Sequence, residues 1–246
     1  MKIKLLVIVF ILLILKVPGN NAQTGDEILR KANEKNNVYT CIYDMEMKLV
    51  RPEKDDIVYK LRTFKKGDDK MLIRFLDPPK VVGRVFLKDG KRMWLYMPSI
   101  KKSIRVSSKQ MALGGDFSHG DLMRINLPKD YNATLLRIET YKEKECYVLE
   151  LKAKDRTISY DKIKYWIRKN DLFPVRQEFY TLSGKLLKIM TYKDSVYFGG
   201  QKRPKTLIME NTLKKGYMTV LTMIDMQVDV TLSDYMFKKQ NLERQQ

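Results

Sequence analysis

Histidine is almost missing from this chain: His119 is the only one among 246 residues, and cysteine is held to two. There is no G-x-S-x-G elbow, no H-E-x-x-H pair, no glycine-rich phosphate loop and no cysteine–histidine pairing. Acyl-enzyme, zinc-peptidase and nucleotide chemistries therefore lack their defining groups. A metal or acid–base role for His119 would need further ligands or an oriented nucleophile beside it, and its surroundings supply neither. A solvated loop histidine is the plainer reading. The chain is read as a non-enzyme with no cofactor and no metal; an envelope hydrolase acting through His119 is the opposing hypothesis.

Other absences narrow the class. Cys41 and Cys146 lie far apart, so an oxidising compartment would permit a disulfide without requiring one. No long hydrophobic run is present: the apolar stretch Leu5 to Leu15 is short for a hydrocarbon core of about 30 Å. There is no linker, low-complexity tract or helical repeat, which favours one domain.

What stands at the start is patterned. Lys2 and Lys4 precede that apolar stretch, and Pro18-Gly19-Asn20-Asn21-Ala22 follows it. This is the n-region, h-region and cleavage-site order of a secretory signal over residues 1–22, cleaved near Ala22. An uncleaved anchor is the alternative. No cysteine follows the cleavage point, which argues against a lipid-modified N-terminus. The expected domain is residues 23–246.

The formal charge is +19; without Lys2, Lys4 and Lys16 the 48 basic residues become 45 against 29 acids, or +16. In a cytosolic protein this would suggest nucleic acid. Export points instead to transient contact with a membrane surface or another anionic envelope component, with no nucleic acid as partner. Solvated surface lysines are the plain alternative.

The mature chain is mostly strand. Thr24-Gly25-Asp26-Glu27 is a capping box opening a helix that ends near Asn36-Asn37. Strands follow over 38–50, 57–65 and 71–76, the first with Tyr39, Cys41, Tyr43, Met45 and Met47 on one face. Asp77-Pro78-Pro79 stops the third. Val85 to Leu87 and Met93 to Met97 flank Asp89-Gly90, the dipeptide of a type I′ hairpin. Residues 107–127 break the pattern and read as two short helical turns flanking a flexible Gly114-Gly115 joint. Strands resume over 134–141, 146–153, 160–168, 173–182, 186–192, 204–213 and 217–230. In the last of these, Met218, Val220, Thr222, Ile224, Met226, Val228 and Val230 share a face. The expected architecture is a meander of about 10–11 antiparallel strands, and a sheet that long curls.

The order of local motifs carries a resemblance. Trp94-Leu95-Tyr96-Met97-Pro98, the basic run Lys101-Lys102-Ser103-Ile104-Arg105 and Gly114-Gly115-Asp116-Phe117-Ser118 leading to Asp121-Leu122 occur in sequence, followed by Trp166-Ile167-Arg168-Lys169 and Leu172-Phe173-Pro174-Val175-Arg176. Over roughly residues 25–240 this resembles the LolA-like family of outer-membrane lipoprotein-sorting proteins. The resemblance implies a mainly β fold: an unclosed antiparallel β-barrel, or half-barrel, with an N-terminal helix and a mid-chain helical lid. It implies carriage of lipid or lipoprotein acyl chains through the periplasm, with an inner-membrane RND-type transporter as a partner. An adaptor of such an exporter, without cargo, is the runner-up. The family's lid-locking arginine falls on no single position; Arg62, Arg74 and Arg84 are candidates.

A groove for acyl chains needs soft or broad apolar side chains, since each buried CH₂ is worth about 0.8 kcal/mol. Ile73, Phe75, Phe86, Trp94 and Tyr96 of the central sheet are expected to line it, with Met111, Leu113, Phe117, Leu122 and Met123 of the lid. Packing as ordinary core side chains is the competing reading for each. Asp116 and Asp121 are expected to cap the lid's turns. Lys101 to Arg105 and Lys202-Arg203-Pro204-Lys205 suit phosphate head groups, an acidic partner, or the guarding of sheet edges.

Overall fold

The computed structural model describes residues 23–123 and 126–242, so the signal-peptide reading of residues 1–22 lies outside the described residues. Helix α1 (Gly25–Asn36) begins where the capping box places it. Thr24 N donates to Glu27 Oε2 at 3.0 Å, and Glu27 N donates to Thr24 Oγ1 at 3.2 Å. Ile28, Leu29 and Ala32 are its buried stripe. Gly25 is fixed by space: a Cβ there would stand 2.5 Å from the carbonyl oxygen of Ala133.

Thirteen antiparallel strands form one sheet among the described residues. The first six are β1 (Thr40–Arg51), β2 (Lys54–Lys66), β3 (Lys70–Asp77), β4 (Val85–Asp89), β5 (Arg92–Met97) and β6 (Lys102–Arg105). The other seven are β7 (Tyr131–Tyr141), β8 (Lys144–Ala153), β9 (Lys162–Arg168), β10 (Pro174–Tyr180), β11 (Leu186–Phe198), β12 (Gln201–Asn211) and β13 (Met218–Val228). Their spatial order is β6-β5-β4-β3-β2-β1-β13-β12-β11-β10-β9-β8-β7. Two meanders thus meet at the β1–β13 ladder, while β6 and β7 end the sheet and leave the barrel unclosed. The total exceeds the expected ten or eleven; the strand that lies outside every expected range is the basic run of β6, which pairs with Trp94 opposite Arg105 and Met97 opposite Lys102.

Two local expectations change. In the β4–β5 hairpin Asp89 pairs with Arg92, and positive φ is confined to Gly90. That is the II′ pattern, with glycine first of the two central residues, rather than I′. On β13 the expected single face is broken: Asp44 pairs with Asp225 but Met45 pairs with Met223, leaving Ile224 as an extra residue. A bulge reverses alternation beyond it. Thr219, Leu221 and Met223 therefore point to the inner face together with Met226, and Met218, Val220 and Thr222 do not.

Both faces of the sheet carry apolar clusters. The inner one joins Met47, Leu61, Ile73, Phe75 and Phe86 to Leu149, Leu151, Ile163 and Ile167 from the other half, with α1 and the lid segment between them. The outer one gathers Phe64, Leu72, Leu87 and Tyr96 under Leu232, Phe237 and Leu242 of the C-terminal segment, which ends in α4 (Lys239–Leu242). This C-terminal segment is thus a clamp on the outside of β2–β5. Cys146 packs with Val148 and Trp166 on the outer face of the other half, whereas Cys41 points inward; both thiols are free.

Phe237 is fully buried. Phe237→Ala is expected to destabilise the fold by about 3–5 kcal/mol in urea unfolding, while binding at the inner face is unchanged. Equal loss of inner-face binding would show that the two faces are not separate.

Candidate functional site

The site is the inner face and the segment that crosses it. From the end of β6 the chain leaves one edge of the sheet, runs over the middle strands and returns to the other edge at β7. It first makes a tight loop in which Met111 bridges Ser118 and Ala112 N donates to Phe117 O at 2.8 Å. Leu113 and Gly114 take positive φ to turn it. Helical turns α2 (His119–Leu122) and α3 (Leu127–Asp130) come next. They follow the Gly114-Gly115 pair rather than flank it, because Ser118 opens α2 with a capping box to Asp121.

This lid is tied down by polar contacts. Asp121 caps as expected and also accepts a hydrogen bond from the Tyr160 hydroxyl at 2.6 Å. Asp116 does something else. Its carboxylate accepts from Asn211 Nδ2 at 2.8 Å and Thr219 Oγ1 at 3.2 Å, its N–H donates to Thr219 Oγ1 at 2.9 Å, and its carbonyl accepts from Lys188 Nζ. Asp116, Thr219 and Lys188 are all buried, so the tip of the lid is pinned to β11, β12 and β13 through satisfied polar groups. Gly115 lets the loop settle, a Cβ there lying 3.0 Å from Thr219 Oγ1. His119 is no solvated loop residue. It is buried, its ring centroid is 4.8 Å from that of Phe86, and Nδ1 is 3.1 Å from Ser107 O.

Beneath the lid lies a cavity of about 320 Å³, at the small end of the roughly 300–1,000 Å³ typical of ligand pockets. Its apolar wall comes from Met45, Met71, Met190, Met223 and Met226 with Leu207 and Leu221, and Phe117, Leu122 and Leu127 cover it. Five thioethers make a soft wall suited to an irregular apolar ligand. One end is different: Asn33, Asn36 and Asn37 of the α1 terminus meet Lys65 and Arg203 there, while Gln177, opposite Met190, lies further along the wall. Lys65 donates to Val38 O, and Arg203 donates to Asn36 O and Gln201 Oε1. Burial pulls the Lys65 ammonium below its ordinary pKa and pushes the Cys41 thiol up, so Cys41 stays neutral.

Of the ten residues expected to line the groove, Phe117 and Leu122 border the cavity. Ile73, Phe75, Phe86 and Met123 are buried in the inner cluster around it, and Leu113 packs against them. Met111 is 43% exposed and borders a smaller recess with Tyr160 and Lys188. Trp94 and Tyr96 fall on the outer face, because strict alternation along β5 gives the inner face to Met93 and Leu95 instead. The methionines of β1, β3, β11 and β13 are what the sequence reading missed. On β1 the inward phase of Cys41, Tyr43 and Met45 was legible; on β13 the bulge hid it.

A solved LolA superfamily protein of Nitrosomonas europaea is 32% identical, with a TM-score of 0.82 over 89% of this chain and 100% of that one. The chain belongs to the LolA superfamily. Similar too are an outer membrane lipoprotein-sorting protein domain from Vibrio parahaemolyticus (26% identity, TM-score 0.81, 89% of this chain and 98% of that) and a DUF1329 family protein from Desulfovibrio piger (23%, 0.81, 89% and 97%). A family model described as an uncharacterized protein matches residues 67–244. No curated protein matches the chain. In this LolA superfamily member two of the three arginines considered for locking the lid are engaged outside: Arg62 pairs with Asp44 at 2.8 Å, and Arg74 stands over the Phe64 ring. Arg203 does reach a helix terminus, donating to Asn36 O.

Burial pulls the His119 imidazole below its ordinary pKa. The unfolded chain then binds the proton more readily, so this contribution to stability is complete above about pH 6.5 and is lost as pH falls below it. Unfolding midpoints measured from pH 7.5 down to 5.5 are expected to drop more steeply for the natural protein than for His119→Phe. Parallel curves would remove His119 as the cause.

Proposed function

We propose that this protein is a carrier: it is exported to the periplasm and shelters a lipid or lipoprotein acyl chain beneath the lid while moving it between envelope membranes. The carrying observation is the lidded, methionine-walled cavity on the inner face of an open sheet. An apolar chain gains roughly 0.8 kcal/mol per methylene buried there, and no covalent chemistry is needed. The LolA-superfamily membership and the lipoprotein-sorting description of the Vibrio parahaemolyticus neighbour support the same reading. Residues 1–22 supply the export pattern. An RND-type exporter in the inner membrane is the proposed delivery partner.

The second reading, a cargo-free adaptor of such an exporter, draws on one observation. Phe75, Phe86 and Tyr131 are fully buried and fill much of the inner face with the chain's own rings. The two readings differ in what the cavity holds.

Mass spectrometry of an organic extract of gently purified protein is expected to find acyl-containing lipid, and the stripped protein to bind a fluorescent acyl probe. Met223→Trp, which places an indole in the cavity, is expected to weaken the probe about tenfold or more, at a stability cost of about 1–3 kcal/mol. An extract without lipid, together with no probe binding, would leave the adaptor.

A further inference from the structure

Buried cations ordinarily answer to buried anions. At the tip of the lid they do: Lys188 lies in the field of both the Asp116 and Asp121 carboxylates. At the polar end of the cavity they do not. Lys65 and Arg203 are each 6% exposed, and among the described residues neither forms an ion pair. Asp68 is the single carboxylate whose field reaches Lys65, and it is engaged by the Asn37 amide at 3.1 Å and the Asn126 amide at 2.8 Å. Among the described residues no carboxylate is set against Arg203, and its Nε is buried without a hydrogen-bond partner.

Their present acceptors are neutral: the carbonyls of Asn36 and Val38 and the amide oxygen of Gln201. A basic group on the last carbonyls of a helix is a common cap, but the end of a helix carries only about half a negative charge. Two desolvated cations exceed that. The excess faces a cavity, and register gives its direction. Lys65 sits opposite Cys41 on β1, and Met45 lies four residues further along the same strand. Arg203 likewise stands four residues before Leu207 on β12. Four residues of strand are roughly 13 Å, so the wall passes from cationic to wholly apolar over about the length of a medium alkyl chain.

We propose that the ligand is a single-chain amphiphile with an anionic head, its carboxylate or phosphate oxygens held between Lys65 and Arg203 and its alkyl chain running toward Met45, Leu207 and Leu221. This rests on the carrier reading and narrows its cargo: an acidic lipid fits the charge, and a neutral acyl ester leaves it unmatched. An arginine fork and an ammonium together suit either type of oxyanion.

Calorimetric titration of the lipid-stripped protein with dodecanoate, dodecyl phosphate, 1-dodecanol and inorganic phosphate tests it. Dodecanoate and dodecyl phosphate are expected to bind about tenfold or more tighter than dodecanol. Lys65→Met and Arg203→Met should each remove most of that preference while leaving dodecanol binding within about twofold, which also shows an intact cavity. Because Arg203 holds the end of α1, Arg203→Met can fail to fold; the Lys65→Met variant and the ligand series on the natural protein then decide. Dodecanol binding as tightly as dodecanoate overturns the anionic head and leaves the carrier standing. Inorganic phosphate binding as tightly as dodecyl phosphate overturns the amphiphile in favour of a free anion. Binding of none of the three alkyl ligands overturns both readings.

Discussion

The ladder between β1 and β13 is what the rest of the molecule depends on. Ten paired positions, from Cys41 opposite Val228 to Val50 opposite Met218, join the two meanders into one surface. Without it each half would be a separate sheet with an unpaired edge and an uncovered apolar face. With it, strands from both ends contribute to one inner cluster, and two elements lie over that cluster: α1 and the segment 106–130. The same ladder carries the bulge at Ile224, which brings Met223 and Met226 onto the cavity side together with Met45. Connectivity and site chemistry are thus set at one place.

The crossing segment settles by polar as well as apolar fit. Asp116 reaches the floor through Thr219 and Asn211, Lys188 closes on its carbonyl, and Asp121 holds Ser118 and Tyr160. Buried networks of this kind are stable only when every member is satisfied. That gives the lid a defined seat without filling the space beneath it with side chains. The apolar covering residues Phe117 and Leu122 then stand over the methionine wall as a roof. On the outer face the work is different: Phe237 and its neighbours pack directly on Phe64, Leu72 and Leu87. One sheet therefore has a closed side and an open one.

Legibility in the sequence followed the range of the interaction. The capping box at Thr24, the shared face of Cys41, Tyr43, Met45 and Met47 on β1, and the strand stop at Asp77-Pro78 depend on neighbours within a few residues, and the structure has them as read. Lining residues depend on phase and partner. Trp94 and Tyr96 looked like groove aromatics, but which face of β5 is inner is fixed by the strands beside it and by the C-terminal segment that occupies the other. For the basic cluster at Lys202 to Lys205, guarding a sheet edge was one of three readings; β12 is a central strand, and Arg203 points inward on it.

By itself, then, the sequence determined the class of the fold: alternation with period two, short turns and a single inserted break leave an antiparallel meander with a lid as the architecture that matches. It also determined what is available, a chain rich in methionine and poor in catalytic groups. Tertiary structure alone decided where these meet. A cavity is made of residues far apart in the chain, and a one-residue bulge at Ile224 is enough to exchange its wall. The buried pair Lys65 and Arg203 is 138 positions apart in the numbering, and only the closing of β1 on β13 brings both charges to the same end of one apolar space.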